Sequence, residues 1–255
     1  MASIPYARGT DRGEARFFFI MACTMVATIL AGFSFNVVTG RSTFASPLVV
    51  HLHAVVMLGW LGIYLFQNTM IMAGNVALHR RVGWVAVIWV PLVVIMGLVV
   101  MTHSLRERGG PPFFDQNLFL ISNPLQTLAF AGLTAWAITL RRDTGWHRRL
   151  MFSGMAILCG PGFGRLLPMP LLIPYSWYVS AFLPLLLFVG AGMIADKLRY
   201  GRVHPAWLCG IGLPVALQLV ATLFANSATG IAFTEWFLAG TPGADRPMAA
   251  FIPPM

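Results

Sequence analysis

The sequence predicts an all-α, polytopic transmembrane bundle of seven helices, and three observations carry that prediction. Of the 255 residues, 58% are hydrophobic and 10% charged, with a mean hydropathy of +0.76, against roughly 45–50% apolar and about 25% charged in soluble domains. Seven apolar runs, at 16–38, 47–73, 82–104, 117–140, 149–166, 173–195 and 205–228, are close to the ~20 residues a helix needs to cross a ~30 Å hydrocarbon core. The loops between them alternate in charge. Arg8, Arg12, Arg16, Arg80, Arg81, Arg141, Arg142, Arg148, Arg149, Lys197, Arg199 and Arg202 make 12 cations on one side, against 5 (Arg41, Arg106, Arg108, Arg165 and Arg246) on the other. The positive-inside rule then places the N-terminus in the cytoplasm and the C-terminus outside.

Each run has its own features. The first is too long for the ~7–15-residue apolar core of a signal peptide and reads as an uncleaved helix. The second carries His51 and His53, the third contains Pro91 and ends at His103, and the fourth contains Asn123, Pro124 and Gln126. The fifth is the shortest, because Gly160-Pro161-Gly162-Phe163-Gly164 interrupts it near one membrane face. Tyr175, Trp177 and Tyr178 open the sixth, which holds Pro184, and the seventh holds Pro214 and Gln218. Residues 1–228 form the membrane domain. Residues 229–255, with Phe233, Trp236 and Phe237 followed by Pro242, Pro247, Pro253 and Pro254, read as an interfacial segment and extended Pro-rich tail on the outer face. Continuous runs exclude a β-barrel, which shows short alternating segments.

Composition also excludes functions. The net charge of +9 resolves into the loop asymmetry and implies no nucleic-acid partner. Cys23, Cys159 and Cys209 sit in apolar runs as small hydrophobes, without a disulfide framework. There is no Gly-rich phosphate loop, His-Glu-x-x-His, Gly-x-Ser-x-Gly or Cys-x-x-Cys. Lys197 is the single lysine and lies at a cytoplasmic end, so no retinal Schiff base forms in the bundle. The eight acidic residues, Asp11, Glu14, Glu107, Asp115, Asp143, Asp196, Glu235 and Asp245, are all expected in loops or tails, against a proton pump with intramembrane carboxylates.

Polar groups at membrane depth are the best pointers to function, because they are costly there. His53, His103, Asn123, Gln126 and Arg165 fall in the outer half, and the inner half holds chiefly Gln67 and Asn68. Helical spacing puts His53, Met57, Trp60, Tyr64 and Gln67 on one face. His53 and His103, at matched depth on neighbouring helices, are candidate axial ligands of a b-type haem. With Asp115 they are alternatively a zinc or copper site, or His53 simply hydrogen-bonds a neighbouring helix. Arg165 suits an anionic ligand group or snorkels to headgroups. The expected cofactor site is lined by His53, Trp60, His103, Asn123, Gln126 and Arg165. One internal echo stands out: His79-Arg80-Arg81 and His147-Arg148-Arg149 open two outward-going helices 68 residues apart. These tripeptides read as headgroup anchors, or as partners of haem propionates.

The pattern of His53, Trp60, Gln67, His79-Arg80-Arg81-Val82-Gly83, Asn123-Pro124 and Trp146-His147-Arg148-Arg149-Leu150 resembles a group of uncharacterised seven-helix integral membrane proteins of proteobacteria. That resemblance implies a multi-pass protein of the bacterial inner membrane and no particular activity. His79-Arg80-x-x-Gly83 is also similar to haem A synthase and the ascorbate-reducible b-type cytochromes, although the copy at 147–151 has Met151 in place of the glycine. The leading expectation is a haem b protein in electron transfer or oxidoreduction. The alternatives are an accessory subunit of a respiratory or photosynthetic membrane complex, or a protein that binds a quinone or lipid.

Overall fold

The computed structural model describes residues 12–252; Arg8 and Asp11, and Pro253 and Pro254 of the tail, lie outside the described residues. In chain order the helices are α1 (Arg12–Val38), α2 (Leu48–Met72), α3 (Val76–Val82), α4 (Val85–Arg108), α5 (Gln116–Thr139), α6 (Thr144–Ile157), α7 (Gly160–Leu166), α8 (Ser176–Tyr200), α9 (Pro205–Ala225) and α10 (Ala228–Leu238). No strand occurs among the described residues. Among the described residues six helices, α1, α2, α4, α5, α8 and α9, are long and apolar enough to cross a membrane. The chain is a multi-pass membrane protein built on them. The expected fifth run is two helices, α6 and α7, divided at Leu158–Cys159. Pro161 lies in the first turn of α7, where it has no amide hydrogen to continue the ladder of α6.

The long helices pack in the cyclic order α1, α2, α4, α5, α9, α8, and α7 closes the ring between α8 and α1. Inside lies α6, in contact with α5, α8, α9 and α1. Nine of its 14 residues are buried, from Gly145 to Ile157. A helix shielded from lipid by protein need not be apolar, which is why this run reads weakest in the sequence.

Two close approaches set the ring. A Cβ on Gly32 would collide with the Gly162 carbonyl, so α1 and α7 touch backbone to backbone. A Cβ on Gly59 would collide with the Trp89 indole, whose Nε1–H donates to the Val56 carbonyl across the α2–α4 seam at 2.9 Å.

The bundle has two chemically different ends. Loops 73–84, 140–143 and 201–204 form the basic end; loops 39–47, 109–115 and 167–175 and residues 226–252 form the tail end. The residues after α10 do not hang free. The Arg246 guanidinium donates to the carbonyls of Gly109, Pro111, Pro112 and Phe114, the Ala250 amide donates to Asp115 Oδ1 at 2.6 Å, and Phe251 N–H reaches the Pro112 carbonyl at 2.9 Å. The tail is a strap pinned over the α4–α5 loop.

Candidate functional site

The residues expected to line one outer cavity are distributed over separate environments. Gln126 on α5 is buried and donates to the Pro214 carbonyl at 3.0 Å and to Gln218 Oε1 at 3.3 Å. Gln218 also accepts from Trp177 Nε1 at 3.1 Å and donates to Ser122 and Thr222, whose hydroxyl shares a hydrogen bond with Tyr178. This network satisfies its own polar groups and ties α5, α8 and α9 together, as interhelical amides do in membranes. Asn123 is half-buried one turn away. Trp60 is 1% exposed with its ring edge against Phe130, and its Nε1–H has no partner among the described residues.

His53 uses Nδ1 to donate to the Met96 carbonyl of α4 at 3.2 Å. That bond sets its depth: Met96 lies seven residues before His103, about 10 Å along the helix. Arg165, held by the Pro161 carbonyl at 2.9 Å and stacked on the Phe33 ring at 3.9 Å, is close enough for its charge to act on His53. His51 instead bonds the Phe44 carbonyl at 3.1 Å and steadies the 39–47 loop. Among the described residues no group of three or more His, Cys, Asp or Glu side chains could hold a metal ion.

The basic end corrects two expectations from the sequence. Glu14 and Asp196 are not loop residues: they lie in α1 and α8 and are 3% and 4% exposed. Arg149 is no headgroup anchor either, since it is fully buried in α6. Its Nε and Nη2 grip Asp196 at 2.8 and 2.5 Å, Nη2 also reaches Glu14 at 3.1 Å, and Nη1 donates to the Gly145 carbonyl at 3.0 Å. Arg148 pairs with the other Glu14 oxygen at 2.6 Å. Two arginines thus meet two carboxylates, and Asp196 further accepts from Trp207 Nε1 at 2.8 Å and the His204 amide at 3.2 Å. The arrangement locks α1, α6, α8 and α9 together. Its charges neutralise one another, and a net-neutral cluster of this kind is a structural element, with Arg148 Nε the one buried nitrogen in it that has no partner among the described residues.

Beside it the two His-Arg-Arg copies meet. His79 of α3 and His147 of α6 lie edge to face, 6.2 Å between ring centroids. With the Gln67 amide in the orientation that satisfies both its ends, Nε2 donates to His79 Nδ1 at 2.6 Å and to the His79 carbonyl at 3.0 Å, while Oε1 accepts from Gly83 N–H at 3.2 Å. Burial, with His147 close by, pushes the His79 imidazolium below its ordinary range. His147 donates from Nδ1 to the Ala137 carbonyl at 2.8 Å. The sequence places few polar groups in this half, yet this half holds both the ionic cluster and the imidazole pair.

An apolar groove of about 460 Å³ runs between α4 and α5 from this end toward the middle of the bundle. Ala86, Val90, Pro91, Ala131, Thr134 and Ile138 are among the residues that line it. Small side chains and the proline leave the volume, and the helices close above it where a Cβ on Gly97 would rest 3.7 Å from Thr127. Thr134 Oγ1 is buried without a partner among the described residues.

No family model, curated protein or solved structure matches this chain.

The reading therefore rests on geometry. The groove offers an apolar slot between two membrane helices, and Thr134 supplies the hydroxyl in its lining. The repeated His-Arg-Arg was the one sequence signal pointing to the basic end. The Glu14, Arg149 and Asp196 cluster had none, because those residues are far apart in the chain.

Proposed function

We propose that this chain is a seven-pass protein of the bacterial inner membrane, N-terminus cytoplasmic, that takes an isoprenoid quinone from the bilayer into the α4–α5 groove. The groove carries the reading: about 460 Å³ of almost wholly apolar space between two membrane helices suits one flexible chain entering sideways from lipid, and its volume is in the range of ligand sites. The seventh pass is α6 with α7, which together cover 144–166, about 34 Å at helical rise. The orientation rests on the excess of arginines at the basic end.

Lipid extraction from protein purified in mild detergent tests the reading. Mass spectrometry is expected to find quinone enriched over its ratio to phospholipid in the parent membrane, and Ala135→Trp, which fills the groove, is expected to remove that enrichment. Quinone at the bulk ratio in both proteins overturns the proposal.

A further inference from the structure

We propose that Arg165 holds the phosphate of an anionic phospholipid in the tail-side leaflet through the Nε–Nη2 edge of its guanidinium. The inference is independent of the groove reading. Arg149 shows, in the same chain, how an arginine inside the bundle is set. Its Nη1 donates to the carbonyl four residues back, Gly145, at 3.0 Å, the Trp207 ring lies 5.9 Å from its guanidinium carbon, and its Nε and Nη2 grip Asp196. Arg165 repeats the first two features. Its Nη1 donates to the Pro161 carbonyl, again four residues back, at 2.9 Å, and the Phe33 ring lies 3.9 Å from its guanidinium carbon. The third feature is missing. Among the described residues no carboxylate pairs with Arg165 and its Nε and Nη2 donate to nothing, yet neither atom is sealed off by protein.

The open edge is the one that meets an oxyanion with two parallel N–H···O bonds. The Pro161 carbonyl and the Phe33 ring hold the guanidinium in place before any ligand arrives. A cation in a membrane segment is costly without a partner, and a ring face cannot supply the counter-charge that Asp196 supplies to Arg149. Snorkelling does not describe this side chain either. A snorkelling arginine extends toward the nearer headgroups, which here lie beyond the end of α7 at Leu166, whereas Arg165 folds back one turn to Pro161.

Depth selects a lipid as the source of the oxyanion. α1 has 27 residues, about 40 Å at helical rise against a hydrocarbon core of roughly 30 Å. Phe33 comes five residues before Val38, the tail-side end of α1, about 7.5 Å along the helix. In a membrane centred on α1 the guanidinium on that ring therefore lies at the edge of the hydrocarbon, beside the phosphate layer. Phe33 is 40% exposed and Arg165 half-buried, so a lipid alongside presents its phosphate to the open edge while its chains stay in the hydrocarbon. Other tail-side arginines differ. Arg108 is exposed in the last turn of α4, and Arg246 spends its donors on four carbonyls.

Native mass spectrometry of the delipidated full chain in neutral detergent, titrated with phosphatidylglycerol or with phosphatidylcholine of the same chains, tests the inference, and the melting temperature in inorganic phosphate is a third arm. One phosphatidylglycerol is expected to bind roughly tenfold more tightly than phosphatidylcholine, the worth of a charge-assisted contact. Arg165→Gln is expected to erase the preference, Arg165→Lys, which keeps the charge and loses the two-pronged edge, to keep less than half of it, and Arg108→Gln to leave it unchanged. Unchanged elution volume and lipid-free melting temperature establish that each variant is folded, and Arg165→Lys carries the comparison if Arg165→Gln aggregates. Equal binding of the two lipids, a preference that survives Arg165→Gln, a full preference in Arg165→Lys, or an equal loss in Arg108→Gln overturns the inference. Stabilisation by inorganic phosphate that depends on Arg165, with no preference between the lipids, overturns the lipid and puts a free oxyanion in its place.

Discussion

Arg149 and Asp196 form a two-pronged ion pair inside the bundle, Nε to Oδ2 at 2.8 Å and Nη2 to Oδ1 at 2.5 Å, with the arginine fully buried. Removing one partner leaves a buried charge uncompensated, which costs about 3–5 kcal/mol. Asp196→Asn and Arg149→Met are each expected to lower the melting temperature in detergent sharply. The double variant Arg149→Met/Asp196→Leu keeps the Glu14–Arg148 pair and the net neutrality. It is expected to melt above either single variant; melting below both would show that the pair does more than balance charge.

His204 caps α9 by accepting the Ala206 amide at Nδ1, 3.1 Å away. Burial and the neighbouring Arg149 hold its pKa down to about 4, against the opposing pull of Asp196 and Asp143. A histidine with a depressed folded-state pKa binds fewer protons than it does unfolded, so stability rises with pH across the gap. Its contribution is complete above the ordinary value near 6.5 and is lost as pH falls toward about 4. His204→Asn keeps a capping oxygen and cannot titrate. Melting curves between pH 7 and pH 4 are expected to fall less steeply for the variant, and parallel curves would rule out the histidine as the source.

Gln218 is the hub of the other buried network and serves Trp177, Gln126, Ser122 and Thr222 at once. Gln218→Leu strands the Trp177 indole N–H and the Ser122 hydroxyl and is expected to cost about 1–3 kcal/mol. Gln218→Glu keeps the acceptor for Trp177 but loses both donated bonds and buries a carboxylate. It is expected to be the worse of the two by melting temperature.

The legible parts of the fold were those that lipid itself enforces. α1, α2, α4, α5, α8 and α9 show long apolar runs because each faces hydrocarbon on one side. α6 faces protein all round and escapes that constraint, so Arg149 can sit in its interior and the run looks marginal. The depth of His53 and Gln126 could be estimated by counting residues, but the partners that give them their roles, Met96 and Pro214, are 43 and 88 residues distant. Glu14 and Arg149, 135 residues apart, both read as solvent-facing charges, since nothing local in sequence reports a partner on another helix. The paired His-Arg-Arg was visible, yet its meeting point depends on how the hairpins close against Gln67.

Two glycines on neighbouring helices give a clean contrast. Gly32 meets the Gly162 backbone, whereas a Cβ on Gly62 would meet nothing within 4 Å. Gly32→Ala forces α1 away from α7, and neither backbone can yield by rotating a side chain. It is expected to reduce the yield of folded protein and its melting temperature, while Gly62→Ala is expected to stabilise α2 slightly by about 0.5–1 kcal/mol. Comparable behaviour of the two variants would mean that α1 and α7 do not pack as described.

The seven-pass topology makes a prediction that a six-pass alternative does not share. With α6 and α7 crossing together, loop 39–47 and loop 167–175 lie on one side of the membrane, and loops 73–84 and 140–143 lie on the other. Replacing Cys23, Cys159 and Cys209 by alanine gives a thiol-free background, into which Ser42→Cys, Arg142→Cys or Leu171→Cys is introduced singly; all three positions are exposed. A membrane-impermeant maleimide added to spheroplasts is expected to label Ser42→Cys and Leu171→Cys and to spare Arg142→Cys until the membrane is broken. If α6 and α7 form a re-entrant hairpin, 171 returns to the side of 142 and is protected with it. Labelling of Arg142→Cys alone would invert the whole assignment, placing the ionic cluster and the imidazole pair on the outer face, because both are fixed to the basic end by the same helices.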